Sequence, residues 1–174
     1  MGFDLEKCVE YAQSFSGVNG RCEVIYDGEF TVMRDYAHTA DALEKILTSV
    51  RSYAKGRIIC LFGAAGERDA DKRAPMGETV GKLADYAILT SDNPRFENAV
   101  KIIQEVEVGL KKTHIPYESY VDRHEAIKKA LSTVRKSDII ILCGKGHETY
   151  QVIGDEYTHF DEREIVNEIL ENGK

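Results

Sequence analysis

Arg68 in "GERD", Arg95 in "DNPR" and the potential acceptors Asp92, Asn93 and Glu148 all fall in polar segments that follow apolar runs. Guanidinium groups form paired, charge-assisted hydrogen bonds to carboxylates, while carboxylates and an amide oxygen receive ammonium groups. Brought together, this set would receive a small molecule carrying both a carboxylate and an ammonium group. A solvated ion-pair network would use the same residue types, so residue type alone does not separate the two. His38 in "DYAHT" and His147 in "GKGHE" stand at element ends. Such positions serve a nucleotide or substrate contact and a local hydrogen bond equally well.

Other chemistries find less support. "GAAG" is not the dinucleotide fingerprint GxGxxG, no segment reads GxxxxGK[ST], and "GKGHE" is too short for a P-loop. The histidines are scattered without metal-ligand spacing, and no nucleophile triad can be assigned by spacing. We therefore expect no metal ligand and no acid–base or nucleophilic residue in this chain. Cys8, Cys22, Cys60 and Cys143 form no CxxC pair, and the last two lie in apolar runs that suit buried thiols.

These residues need elements to position them. Residues 4–15 suit a short helix, and "CEVIYDGEFTVMRDY" reads as two extended runs around Asp27 and Gly28. In "HTADALEKILTSVRSY", Thr39 can cap a helix whose apolar stripe is Ala42, Leu43, Ile46, Leu47 and Val50. Apolar strands "RIICLFG", "AILTS", "IPYESYV" and "DIIILCG" then alternate with helices "TVGKLADY", "FENAVKIIQEVEVGL" and "RHEAIKKALSTV". "GAAGERDADKRAPMGE" reads as a long polar loop. The pattern predicts an α/β fold, a Rossmann-like, mainly parallel sheet with helices on both faces. "HETYQVIGDEYTHF" reads as a strand pair forming an antiparallel edge before the last helix. In such sheets ligands sit beyond the carboxyl ends of the strands, where "GAAGERD", "SDNPR" and "GKGHE" fall.

The 174 residues suit one compact unit with a short leading segment. With 43% apolar and 30% charged residues the composition is globular, and a net charge of −7 disfavours a general nucleic-acid surface. No apolar span approaches membrane-helix length and the first residues lack a secretory pattern, so a soluble cytoplasmic protein without membrane contact is the simplest expectation.

Five landmarks, "GVNGRCEV", "DYAHTADALEKIL", "GERDADKR", "TSDNPRFE" and "GKGHETYQ", appear in an order that closely resembles the C-terminal domain of the Mur ligases. The resemblance covers nearly the whole chain. It implies that residues 1–20 are the tail of a central ATPase domain with its linker, and that 21–174 are the C-terminal domain. Family members use ATP and Mg2+ to join an amino acid to a UDP-linked muramoyl peptide through an acyl phosphate. The P-loop and metal ligands lie in the central domain, which has no counterpart here, so this module alone is expected to be inactive. By the resemblance, Arg21 and Asp35 match contacts to the ATP phosphates and ribose, with Tyr36 and His38 beside the nucleotide. "DNPR" resembles the branch that adds meso-diaminopimelate to UDP-N-acetylmuramoyl-L-alanyl-D-glutamate. Arg95 would grip the distal carboxylate of that amino acid with Arg68, and Asp92, Asn93, Pro94, Gly144 and Glu148 would surround its head. Lysine lacks that carboxylate and would leave the guanidinium groups unpaired. A lysine-adding relative and a stand-alone binding module are the rival readings. The chain departs from the family pattern at Ala40, where proline is usual, at "ENA" (97–99), and in 63–76, where Pro75 replaces a proline at 74 and bears on the loop's path.

Overall fold

The computed structural model describes residues 4–14 and 17–172. The elements run α1 (Leu5–Ser14), β1 (Glu23–Asp27), β2 (Thr31–Asp35), α2 (Ala40–Arg51), β3 (Ile58–Phe62), α3 (Arg73–Leu83) and β4 (Tyr86–Thr90). They continue with α4 (Ala99–Leu110), β5 (Tyr117–Tyr120), α5 (Arg123–Thr133), β6 (Ile139–Cys143), β7 (Tyr150–Ile153), β8 (Glu156–His159) and α6 (Glu162–Asn172). Among the described residues no helix is long and apolar enough to cross a membrane.

Six strands form one sheet in the order β1-β2-β6-β3-β4-β5. All neighbours are parallel except β1, which runs antiparallel to β2. Strand alternation divides the core in two. Ile58, Cys60 and Phe62 of β3 join Ile139 and Ile141 of β6 under α2, α3 and α4, while Ile59, Leu61, Ile140 and Leu142 face α5 and α6. The central strands thus have both faces covered, which is why they read as continuous apolar runs.

Helix α2 forms where the sequence changes period. Thr39 accepts the Ala42 N–H at 3.2 Å, and Leu43, Ile46, Leu47 and Val50 are buried. Each buried aliphatic side chain contributes roughly 1.5–3 kcal/mol, against about 1 kcal/mol for the cap, so burial holds the helix and the cap sets its start. Ala40 occupies the first helical position, where proline's fixed φ also fits. Pro75 lies in the first turn of α3, where a missing N–H costs no intrahelical bond. The two glycines that weaken the helical pattern of α3 have different neighbours. A Cβ on Gly77 would collide with the Val106 carbonyl of α4, so close helix packing requires that glycine, whereas Gly81 abuts Thr113. Asn98 caps α4, accepting the Lys101 N–H at 3.1 Å.

Two expectations need correction. The pair β7–β8 is a separate two-stranded sheet, and the antiparallel edge of the main sheet is β1. Arg95 forms a lone bridge to Ile153, so the hairpin is tied to the loop after β4 and extends no sheet edge. The polar segment after β3 is also shorter than expected, because α3 already begins at Arg73.

The ends of β4 and β6 are joined by Arg123, the first residue of α5, which has no exposed surface. Its Nη1 donates to the Ser91 carbonyl at 3.2 Å and Nη2 to the Cys143 carbonyl at 2.9 Å. Nε and Nη2 donate to Glu162 Oε1 at 2.9 and 2.7 Å. Glu162→Ala strands a buried guanidinium, a loss expected to cost about 3–5 kcal/mol and to be read in denaturant unfolding. Asp138 supports the opposite end of the sheet, accepting bonds from Arg57 N, Nε and Nη2 and from Arg135 N. Burial pushes its carboxyl up, but the bonds from Arg57 and Arg135 outweigh burial and leave it below its ordinary value of 3.8. This contribution to stability is therefore complete above the ordinary value and disappears as pH falls through the lower folded-state value. Asp138→Asn should lower stability by about 1–3 kcal/mol at neutral pH and flatten the acid limb of stability measured below pH 4.

Candidate functional site

Strands β2, β6, β3 and β4 are successive neighbours, so their carboxyl-end loops meet at one edge of the sheet. They enclose a cleft of about 130 Å³. Its lining takes Tyr36 and His38 from the loop after β2, Ala65, Arg68 and Lys72 from that after β3, Asp92, Asn93 and Arg95 from that after β4, and Gly144 and Glu148 from that after β6. Six of the seven residues assigned to amino-acid binding line this one space. Pro94, the seventh, is buried outside that lining, its carbonyl accepting the Glu97 N–H at 3.0 Å.

One side of the cleft is basic. Among the described residues no carboxylate pairs with Arg68, Lys72 or Arg95. Arg95 adopts a left-handed backbone, φ 54°. Such a conformation costs a non-glycine residue on the order of 1 kcal/mol or more and persists only under constraint. Two bonds supply it: the Arg95 N–H donates to the Val152 carbonyl at 3.1 Å, and the Arg95 carbonyl accepts the Gly154 N–H at 2.8 Å. Its Nε is buried with no hydrogen-bond partner among the described residues. Arg68 is exposed and, among the described residues, bonds only to the Glu67 carbonyl, at 3.3 Å.

Arg73, which sequence reading did not single out, fastens the two arginine loops together. It is 2% exposed and donates to Glu105 at 2.5 Å, Glu97 at 2.9 Å and the Ala65 carbonyl at 3.3 Å. Glu97 also accepts the Glu67 N–H, and Gly66 N–H donates to the Asn93 carbonyl at 2.9 Å.

The other side is acidic. Asp92 is 5% exposed, and its carboxylate receives no hydrogen bond from a described residue. Gly144, at φ +113°, leaves room for it, since a Cβ there would stand 2.6 Å from Asp92 Oδ2. Asn93 Nδ2 donates to Glu148 Oε2 at 2.9 Å, and Asn93 Oδ1 accepts from Lys145 Nζ at 3.0 Å and Val152 N at 3.1 Å. Lys145 is a second residue missed in the sequence. Burial pushes its ammonium below the ordinary lysine value despite Asp92 and Glu148 nearby.

The four residues assigned to a nucleotide separate into two groups. Arg21 lies over the Tyr36 ring, 4.6 Å from its centroid, and His38 and His147 flank the same ring at 4.8 and 5.6 Å. His38 Nδ1 also lies 2.8 Å from the Tyr36 carbonyl, the local contact anticipated for an element end. Asp35 is different. It is buried, its carboxylate accepting the N–H of Cys22 at 2.8 Å and of Ala37 at 2.8 Å, so it holds the backbone that carries Arg21 and Tyr36. The cleft therefore presents opposed charges, and Tyr36, which lines it, carries Arg21 stacked on its ring although Arg21 itself is not part of the lining. This arrangement can orient a charged ligand; among the described residues no group of three His, Cys, Asp or Glu side chains could hold a metal.

Known proteins resemble the chain over most of its length. The chain is 54% identical over 165 residues to the UDP-N-acetylmuramoyl-L-alanyl-D-glutamate–2,6-diaminopimelate ligase of Caldanaerobacter subterraneus subsp. tengcongensis, covering 94% of this chain and 34% of that relative. It is 47% identical over 172 residues to ligase 1 of the same name from Clostridium acetobutylicum, covering 97% and 35%. A solved structure of a ligase of that name superposes with a TM-score of 0.85 at 35% identity, over 99% of this chain and 35% of the other. The UDP-N-acetylmuramate–alanine ligase of Thermotoga maritima shares the fold, with a TM-score of 0.68 at 19% identity over 99% of this chain and 34% of that one. The chain spans about a third of the length of the curated relatives it matches. Residues 20–146 match the family described as Mur ligase, glutamate ligase domain, and the chain belongs to that family.

Proposed function

We propose that this chain is the amino-acid-binding domain of an ATP-dependent cytoplasmic ligase that adds meso-2,6-diaminopimelate to UDP-N-acetylmuramoyl-L-alanyl-D-glutamate in peptidoglycan synthesis. The observation that carries the reading is the charge in one cleft: Arg68 and Arg95, which no carboxylate of a described residue pairs, suit a distal carboxylate, and Asp92 and Glu148 in the same lining suit the ammonium beside it. The names of the relatives support the same substrate. Lysine would offer the two arginines no distal carboxylate, and a guanidinium that loses solvent without gaining a partner is costly.

ATP, when bound, supplies the phosphoryl group that activates the peptide carboxylate for attack by the free amine of the amino acid. Arg21, stacked on Tyr36 and paired with no carboxylate among the described residues, fits a phosphate, and Tyr36 with His38 fits the edge of a nucleotide. Asp35 retains lone pairs for a ribose hydroxyl beyond its two backbone bonds. Mg2+ in this reading belongs to the preceding central domain, as does the P-loop, and residues 1–20 form the tail and linker of that domain. The residues of this chain orient reactants and neutralise charge; none transfers a proton.

Calorimetric titration of the chain should show binding of meso-diaminopimelate at least tenfold tighter than lysine, since each charge-assisted arginine contact is worth about 1.5–3 kcal/mol. Arg95→Ala should remove most of that preference while leaving lysine affinity unchanged. Equal or tighter binding of lysine by the unaltered chain would overturn the substrate assignment.

A further inference from the structure

Lys145 has no exposed surface, so it meets neither solvent nor a ligand in the cleft. Its ammonium donates to the Tyr150 carbonyl at 2.7 Å and to Asn93 Oδ1 at 3.0 Å, and stands 3.7 Å from Glu148 Oε2. The rings of Phe160 and Tyr150 lie 5.7 and 5.9 Å from it. An ammonium enclosed this way is expensive to bury and is retained only where its bonds are made.

Asn93 completes a closed circuit. Its oxygen accepts from Lys145 and from the Val152 N–H, and its nitrogen donates to Glu148 Oε2. A half-turn of the amide would set its NH2 against two donors and its oxygen against a carboxylate. Glu148 Oε2 is thereby committed to Asn93, in a carboxylate that lines the cleft and whose Oε1 accepts no hydrogen bond from a described residue.

We propose that Lys145 is a positioning residue that locks the Asn93 amide and, through it, the Glu148 carboxylate, so that the cleft selects an ammonium group at the distal end of its ligand. The ligand part of this inference rests on the amino-acid reading above; the lock itself does not. A residue that merely stabilised the loop would weaken all ligands alike. The lock instead couples Lys145 to one functional group of the ligand.

The test uses side-chain amide NMR on the chain with two probes, meso-diaminopimelate and pimelate, which has the same two carboxylates but no amine. In the unaltered chain the Asn93 Nδ2 protons, identified by their loss in Asn93→Asp, should exchange at least tenfold more slowly than those of exposed Asn98 and Asn167. Lys145→Met should abolish that protection and reduce the preference for diaminopimelate over pimelate at least fivefold. Retention of both protection and preference in a folded Lys145→Met chain overturns the proposal. If that variant does not fold, the unaltered chain decides: Asn93 exchange as fast as Asn98 overturns the lock, and slow exchange upholds it. Should neither probe bind, the amino-acid reading fails with its ligand clause, while protection lost in Lys145→Met still upholds the lock.

Discussion

The cleft depends on one buried cation. Arg123 reaches from the start of α5 to the Ser91 carbonyl just beyond β4 and to the Cys143 carbonyl at the end of β6, strands that are not neighbours because β3 lies between them. Removing a guanidinium from water costs several kcal/mol, and this one recovers it through Glu162 and the two carbonyls. Those partners fix the separation of the loops bearing Asp92 and Gly144. A hydrophobic residue in its place would pack α5 equally well and would specify no such spacing.

With that spacing set, smaller constraints give the cleft its charge pattern. Arg73 joins the loops of Arg68 and Arg95 from the α3 and α4 side, and the β7–β8 hairpin holds Arg95 in its left-handed backbone. Glu97 and Glu105 are engaged with Arg73, Glu162 with Arg123 and Glu148 with Asn93, so none of these four carboxylates pairs with Arg68 or Arg95. Fixed donors and acceptors of this kind pay the cost of orientation during folding, before any ligand arrives.

The alternating apolar strands and amphipathic helices were legible because burial imposes periods of 2 and 3.6 on the chain, and "SDNPR", "GAAGERD" and "GKGHE" were legible because strand-end loops carry polar groups. Family resemblance assigned roles that spacing alone left open. Arg73, Arg123 and Lys145 were not singled out, since a charged residue at an element end ordinarily reads as solvated. Two of them did leave a trace: Arg123 lies on the helical stripe of Ile127 and Ala130, and Arg73 on that of Met76, Gly77 and Val80. A cation on an apolar stripe implies a buried partner. Lys145 left none, because its enclosure comes from the hairpin, whose packing no local pattern encodes.

The most direct test of the account is a crystal structure of the chain soaked with meso-diaminopimelate. The account predicts one carboxylate between Arg68 and Arg95 and the adjacent ammonium against Asp92 and Glu148, with the other amine directed out of the cleft. A ligand bound in the reverse sense, its ammonium toward the arginines, or seated away from this cleft, would contradict it.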